Sequence, residues 1–587
     1  GVHASQRHAA LPHSPCVSYG GREAKVLLHF LPILVTMDET GTRRVQLPPR
    51  SEYRIELDAG EYVAIRFVSD PISGHYGDAE VFGAPIVAGS NERWYTCGKE
   101  AKFAITSWGG ADLEIYGAAS TEYMADEPSH TYTYYANLHL NLERARIRAR
   151  EQLRTDPSLL QTLDAVDVSE PTKPMSYEEG AESGTDLYRA AGQGPRVMVV
   201  GPESAGKTSL IKYLANYAMR SPAVASVREG ESKREKTDES DEDGETKAMS
   251  EITGWWPMIV TLDPAEGAVP VPGCISAIPL TPTPITWLPS PSPALPYGVT
   301  PQTTGALPPS VSTVHSVMPM TLWAGKENMR ENERHSRRLV DWLVYYVEKR
   351  LVKDLRARMS GLLLDMPGII TADARTRYEF IQYCVRAFKI DTIIVLGHEK
   401  LNLELTRIYA NDTSGHAPSI VKVPRSGGAV EVDEVYKQKL HDLQIRSYFY
   451  GMSPVVPQEP EKNAPAGLDE PLGGVPVLNP YSFTIPFDLL SIYRVGQDRV
   501  APSSALPIGA ERTLSEMQVV KLDPVNSPSD LSLLLHSVLA LIEPPAALEH
   551  HEENAASEET PAKEYNDDEL LGSTLLGFIH MCVLFIN

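Results

Sequence analysis

A β-sandwich-like domain, then an α/β domain on a parallel sheet, then a smaller mixed β domain is the architecture this sequence predicts. Three observations predict it. Apolar residues alternate with period two early in the chain, become short continuous runs separated by helical stretches from about residue 197, and stop at the proline-rich connection Pro454–Pro480. Period two marks strands with one buried face, whereas continuous runs mark strands covered on both faces. At 587 residues the chain exceeds a single core and suits about three or four domains.

Residues 1–40 carry no clear pattern and are expected to be unstructured or mispredicted. In the N-terminal β domain, 41–120, the alternation runs through Tyr53, Ile55 and Leu57, then Val63, Ile65 and Phe67, then Phe103 and Ile105, then Leu113 and Ile115. Glycines and Pro85 punctuate these runs, as in a small antiparallel sandwich or barrel. The linking segment, 121–193, opens with Leu138, Leu142, Ala145, Ala149 and Leu153 at helical spacing. The row Glu143, Arg144, Arg146, Arg148 and Arg150 lies largely off that stripe and reads as a solvated face in preference to an RNA grip.

The central domain, 194–450, holds the runs Val197–Val200, Met258–Leu262, Leu362–Leu364, Thr392–Leu396 and Ile420–Val423. Two insertions interrupt it. One, 228–251, packs six acids into Asp238–Glu245; the other, 279–319, is rich in Pro, Ser and Thr. Both read as solvated loops. After the linker, 451–477, the C-terminal domain, 478–587, has strand-like runs at Tyr481–Ile485 and Met517–Leu522, a helix near Leu531–Leu541 and an acidic loop, 549–569. Gly1 in place of methionine and the apolar stub Leu575–Asn587 suggest cut or mispredicted ends, and this last domain is expected to be truncated.

Composition excludes several classes. With 54 Lys+Arg against 77 Asp+Glu, the formal charge is −23, the opposite of a nucleic-acid coat. Any RNA is met through a local groove or a partner, so pre-mRNA contact is expected to be weak or indirect. The five cysteines, Cys16, Cys97, Cys274, Cys384 and Cys582, are odd in number and scattered, which fits a reduced compartment, cytosol or nucleus. The run Val26–Val35, broken by His29 and Pro32, is too short to span a bilayer.

One motif carries chemistry. Gly201-Pro202-Glu203-Ser204-Ala205-Gly206-Lys207-Thr208 satisfies GxxxxGK[ST] between the strand Val197–Val200 and the helical Ser209–Met219. Glycines let backbone amides turn inward around phosphates, and the helix N-terminus adds its positive end. Lys207 is expected on the β and γ phosphates and the Thr208 hydroxyl on magnesium. This is a P-loop nucleotide site. Asp263 and Asp365 end two strands of the same sheet, where carboxylates hold magnesium or orient a nucleophile, or else cap a turn. No Asn-Lys-x-Asp or Thr-Lys-x-Asp guanine-reading motif occurs, which argues against a GTPase.

Longer stretches carry a resemblance: Ser51-Glu52-Tyr53-Arg54-Ile55-Glu56, Gly194–Pro202, Leu262-Asp263-Pro264-Ala265-Glu266-Gly267, Arg425–Glu431 and Ile445–Gly451. In order and wording they resemble the Clp family of polynucleotide 5′-hydroxyl kinase-like proteins, the ATP-binding subunit of the pre-mRNA cleavage and polyadenylation machinery. The fungal type, a subunit of cleavage factor IA, is most similar. The resemblance implies the same three-domain partition and adenine recognition by Glu52 and Lys102, which strand pattern alone would leave as exposed residues. It also implies phosphate contacts from Ser204, Ala205, Gly206, Lys207, Thr208 and Ser209. The implied partners are cleavage factor subunits, above all the scaffold that contacts the RNA polymerase II tail.

The sequence departs from active kinases of that family on the acceptor side. Glu266 replaces the glutamine of Asp-x-x-Gln, and Ile369 stands where a tryptophan is expected. Lys326-Glu327-Asn328 replaces a Thr-Thr-Pro element, and the lid Tyr436–Arg446 carries one arginine. Phosphoryl transfer relies on such cations. The reading is therefore an ATP- and magnesium-binding structural subunit in the nucleus. The alternative is an active RNA 5′-hydroxyl kinase with Asp263 as base, Lys207 on the γ-phosphate and Arg446 screening charge. Limited proteolysis is expected to cut within 228–251 and 279–319; early cleavage within 197–220 would contradict these boundaries.

Overall fold

The computed structural model describes residues 42–58, 61–68, 77–86, 94–97, 102–126, 131–156, 192–221, 254–265, 269–280, 319–410, 417–431, 433–450, 481–495, 519–543 and 573–581, with the short pieces 35–37, 158, 453–454, 474–475 and 570. Residues 1–34, both insertions except for 279–280 and 319, and the acidic loop lie outside the described residues.

Among the described residues the N-terminal domain is a sandwich of ten strands: β1 (Val35–Met37), β2 (Arg43–Leu47), β3 (Ser51–Glu56), β4 (Tyr62–Val68), β5 (Glu80–Val81), β6 (Ala84–Pro85), β7 (Tyr95–Cys97), β8 (Lys102–Ser107), β9 (Ala111–Ala118) and β10 (Thr121–Met124). One antiparallel sheet has the order β1-β2-β9-β4-β7 and the other β10-β3-β8-β5-β6. The alternation is visible in β2, where Val45 and Leu47 are buried while Arg44 and Gln46 are exposed. Strand β3 departs from it: Glu52 and Arg54 are buried along with Tyr53 and Ile55, because a second body covers its outer face.

Helix α1 (Thr131–Thr155) follows, with Leu138, Leu142, Ala149 and Leu153 buried as the spacing requires. The arginine row needs a correction. Arg144 and Arg148 are exposed, but Arg146 is fully buried and its Nε donates to the Ser360 carbonyl at 3.0 Å. Position 146 lies between Leu142 and Ala149 at +4 and +3, on the apolar stripe itself.

The central domain runs β11 (Arg196–Val200), α2 (Lys207–Met219), β12 (Met258–Thr261), β13 (Cys274–Pro279), β14 (Met320–Trp323), α3 (Glu333–Lys353), α4 (Leu355–Ser360), β15 (Leu362–Asp365), α5 (Thr371–Arg375), α6 (Glu379–Ala387), β16 (Thr392–Leu396), α7 (Glu399–Ala410), β17 (Ser419–Val423) and α8 (Glu434–Tyr450). Its sheet order is β14-β13-β12-β15-β11-β16-β17. The five strands read from the sequence are the parallel ones. Strands β13 and β14 extend the sheet antiparallel at one edge, so it is mixed there.

The C-terminal region continues with β18 (Ser453–Pro454), β19 (Gly474–Val475), β20 (Tyr493–Val495), β21 (Val519–Lys521), α9 (Pro528–Leu534), β22 (Val538–Glu543) and β23 (Thr574–His580). These strands form three two-stranded antiparallel pairs, β18–β19, β20–β21 and β22–β23. The expected strand at Tyr481–Ile485 is irregular backbone, and the expected helix at Leu531–Leu541 splits into α9 and β22. His536 adopts φ 57° between them, a left-handed conformation that ends a helix. Among the described residues no helix is long and apolar enough to cross a membrane.

A direct seam joins the two larger domains. The β5–β6 hairpin lies on α2, the helix that leaves the P-loop. Buried Glu80 accepts from Tyr217 Oη at 2.6 Å and Trp108 Nε1 at 3.1 Å, and pairs with Arg220. Asn216 Nδ2 donates to the Phe82 carbonyl at 2.7 Å. Gly83, at φ 75°, brings backbone so close that a Cβ would lie 3.2 Å from the Tyr217 ring. Lys212 places its ammonium 5.0 Å from the centre of the Phe82 ring. Burial pushes that ammonium down to about 7 against the opposing pull of Asp365. Aromatic contacts of Tyr213 with Phe82 and Tyr135, at 6.0 and 5.1 Å between centroids, extend the seam into α1. Glu80→Ala is expected to cost about 2–4 kcal/mol, since it strips Tyr217, Trp108 and Arg220 of a buried acceptor. Urea unfolding without nucleotide measures this; a change below about 0.5 kcal/mol, the scale of an ordinary surface substitution, would mean the hairpin carries little.

Candidate nucleotide site and its lid

Strand β11 delivers the chain to the P-loop at the carboxyl end of the sheet. A Cβ on Gly201 would stand 2.7 Å from the Leu396 carbonyl of β16, so only glycine fits there. Ser204 and Gly206 take φ values of 53° and 91°, the left-handed turns that aim successive backbone amides into one concavity. At Gly206 an added Cβ would meet nothing within 4 Å, which leaves the cradle open on its ligand side. Lys207 is buried and its ammonium donates to the Pro202 carbonyl at 3.0 Å, folded back over the loop.

The segment after β15 is stitched alongside. Ile369 N–H donates to the Gly201 carbonyl at 3.0 Å, and Pro202 and Ile369 form an isolated parallel bridge. Arg330 fixes this segment from outside, with a bidentate pair to Asp373 at 2.8 and 2.6 Å and a bond to the Gly368 carbonyl at 2.7 Å. Asp365, at the end of β15, accepts from the Thr208 hydroxyl at 2.7 Å. Asp263, just beyond β12, is also buried, and its Oδ1 accepts from Ala265 N–H at 3.0 Å.

Two bodies close over this floor. Helix α8 brings Lys437 within 3.3 Å of the Glu203 carboxylate in the P-loop. Its His441 Nε2 is 3.1 Å from the Ala265 carbonyl and Nδ1 is 3.1 Å from Glu327. From the N-terminal domain, Arg54 pairs with Glu52 at 2.7 Å, and its guanidinium would stand 2.7 Å from a Cβ at Gly428. Lys102 pairs with Glu56 at 3.3 Å and lies 5.9 Å from the centre of the Tyr436 ring on α8.

Comparison with known proteins settles the kinship. The family description "mRNA cleavage and polyadenylation factor CLP1 P-loop" matches residues 251–451, "N-terminal beta-sandwich domain of polyadenylation factor" matches 46–149, and "Pre-mRNA cleavage complex II protein Clp1" matches 478–583. The chain is 70% identical to the mRNA cleavage and polyadenylation factor CLP1 of Malassezia globosa over 90% of its own length and 89% of that protein's. It belongs to the CLP1 family. The corresponding protein of Mycosarcoma maydis is 52% identical over 92% and 93% of the two chains, and the Arabidopsis thaliana protein CLP1 homolog is 26% identical over 85% and 81%. In fold the chain is similar to Clp1p in a Clp1p–Pcf11p complex, with a TM-score of 0.56 at 20% identity, covering 93% of this chain and 92% of that one. A second solved structure, described as an extended Pcf11p–Clp1p interface and the basis of ATP loss in a point mutant, matches with the same TM-score.

Within this CLP1-family chain the sequence-predicted residues, apart from Asp263 just beyond β12, fall into three groups. Gly201, Ser204, Ala205, Gly206, Lys207, Thr208 and Ser209 form one loop and helix start, with Asp365 bonded to Thr208. Glu52 and Lys102 lie on the adjacent strands β3 and β8; Lys102 lies near the Tyr436 ring of α8, and it is Arg54, the ion-pair partner of Glu52, that abuts Gly428. Arg446 stands apart: it is exposed and, nine positions beyond Lys437, lies on the opposite side of α8. Glu266 lies outside the described residues.

Sequence reasoning did not assign the contacts of Glu80, Glu203, Glu327 and His441, although Glu203 lies in the P-loop motif, Glu327 in the 326–328 element and His441 in the lid. Each contact reaches a partner far along the chain and leaves no local signature. The donor set fits a magnesium nucleotide: an open amide cradle, a buried ammonium at its rim, and a hydroxyl oriented by a buried carboxylate. Lys207→Ala is expected to weaken ATP binding about ten- to a hundredfold, the worth of a charge-assisted bond. Equilibrium titration of the purified chain would measure it, and an unchanged Kd would exclude Lys207 from the site.

Proposed function

We propose that the chain is an ATP-binding structural subunit of a nuclear pre-mRNA 3′-end cleavage factor, required for the cleavage step but retaining its nucleotide. The observation that carries this reading is the occupation of the acceptor side by the chain's own groups. His441 fills the space between the Ala265 carbonyl and Glu327, while Asp263 accepts from the Ala265 N–H of its own turn. The P-loop, by contrast, keeps every residue type that phosphate binding needs.

In this reading Lys207 and the amides of Ser204 through Ser209 hold phosphates, and Thr208, set by Asp365, ligates magnesium, with Asp263 beside it. Magnesium would neutralise phosphate charge there. Glu52 and Lys102 recognise adenine from the N-terminal domain, so ATP bridges the two domains. The direct seam through Glu80 already joins them, and nucleotide adds to a contact that exists without it. The partner is a scaffold subunit of the Pcf11p kind, by analogy with the complexes of the structural relatives, and through it the RNA polymerase II tail. Pre-mRNA is met weakly or through partners.

The alternative, an ATP-dependent RNA 5′-hydroxyl kinase, is favoured by one feature: Asp263 persists as the candidate base with Lys207 and Thr208 in place. It requires Arg446 to come round from the far side of α8. Transfer of labelled γ-phosphate to a 5′-hydroxyl oligonucleotide, with ATP occupancy measured in the same sample, tests the choice. Full occupancy without transfer is the expected result. Turnover abolished by Asp263→Asn would overturn it.

A further inference from the structure

Helix α8 is held at both ends by different domains, along a single face. Lys437, His441, Gln444 and Tyr448 follow one another at +4, +3 and +4, the spacing of one helical stripe. Lys437 meets Glu203 of the P-loop at 3.3 Å, and His441 is lodged between the Ala265 carbonyl and Glu327 at 3.1 Å each. Both ring nitrogens of His441 are thus engaged, one at a carbonyl and one at a carboxylate. Gln444 is the one buried side chain among those of α8 that are described. Tyr448, about 16 Å along the axis from Lys437 at 1.5 Å per residue, takes the last position.

That far end belongs to the C-terminal hairpin. Phe578 of β23 donates its backbone N–H to Tyr448 Oη at 3.2 Å. The Tyr448 and Phe578 rings stand 5.4 Å apart edge to face, and Phe578 meets Trp323 of the sheet edge at 5.1 Å. Val271, Cys274, Phe449, Val538, Ala540 and Leu575 belong to the same small cluster. The helix is thus fixed by polar latches over the P-loop and by an aromatic clamp at the other domain, and among its described side chains only Gln444 is buried. Elements so held open as units at low free energy.

We propose that α8 couples the C-terminal hairpin to nucleotide release: the Tyr448–Phe578 clamp keeps the helix seated, the Lys437 and His441 latches then retain the nucleotide, and displacing the hairpin speeds its departure. This rests on the nucleotide reading above. The remote end makes it testable, because Phe578 touches neither the P-loop nor the latches.

The experiment is stopped-flow release of a fluorescent N-methylanthraniloyl ATP from the full chain, chased with excess ATP. Lys437→Gln, His441→Ala and Tyr448→Phe are each expected to speed release about three- to tenfold, the range that one polar contact supports. Phe578→Ala should do so at least as strongly. Asp442→Asn, exposed on α8 and off the stripe, should release at the wild-type rate. Tyr448→Phe removes one hydroxyl and keeps the ring, so it serves if Phe578→Ala disturbs folding. Saturable binding with release unchanged in Lys437→Gln, His441→Ala and Tyr448→Phe would overturn the coupling alone. Absence of saturable binding to the wild-type chain would withdraw the nucleotide reading and the coupling together.

Discussion

The contact on which the rest depends is the seating of the β5–β6 hairpin on helix α2. That helix begins at Lys207, so whatever holds its flank holds the phosphate cradle. Glu80 does this with a buried carboxylate shared among Tyr217, Trp108 and Arg220. A buried charge is tolerated only when fully engaged, and here the engagement spans two domains. One continuous apolar cluster follows the same path, from Ile55 and Ile105 in the sandwich to Val199 and Leu214 under the P-loop. Domain docking and site preorganisation are therefore one property.

On the proposed reading, this is how a family fold associated with phosphoryl transfer can serve as an ATP-binding structural subunit. Transfer needs an accessible acceptor and mobile cations that gather on the transition state. In this chain the cations near the site are engaged: Lys437 with Glu203, Arg330 with Asp373, Lys102 with Glu56. Arg446 faces away. What remains suits binding, because fixed donors hold phosphate at no reorganisation cost.

Much of the fold was legible because the parallel strands are continuous apolar runs and the P-loop is a fixed-spacing motif. The edge pair β13–β14 was not, since the insertion falls between its two strands and hides the pairing. The joined reading of α9 and β22 failed because Leu531, Leu534, Leu535, Val538 and Leu541 satisfy a helical period through a backbone reversal at His536. At the site, Lys207, Thr208 and Asp365 could be named from the motif and the strand ends. Glu80 and His441 could not, because the partners that give them meaning, Tyr217 and Arg220 for one and Ala265 and Glu327 for the other, lie more than a hundred residues away. Arg146 was legible in principle: its spacing from Leu142 and Ala149 outweighs the charges around it.

The central claim is that the direct seam joins the domains and that nucleotide reinforces a docking already made. Hydrogen exchange of the full chain with and without ATP tests it most directly. The account predicts that amides of 80–84 and 210–219 are protected in both states, while ATP slows exchange in 425–431 and along α8. Free exchange at 80–84 and 210–219 until ATP is added would contradict it, since nucleotide would then be what holds the two domains together.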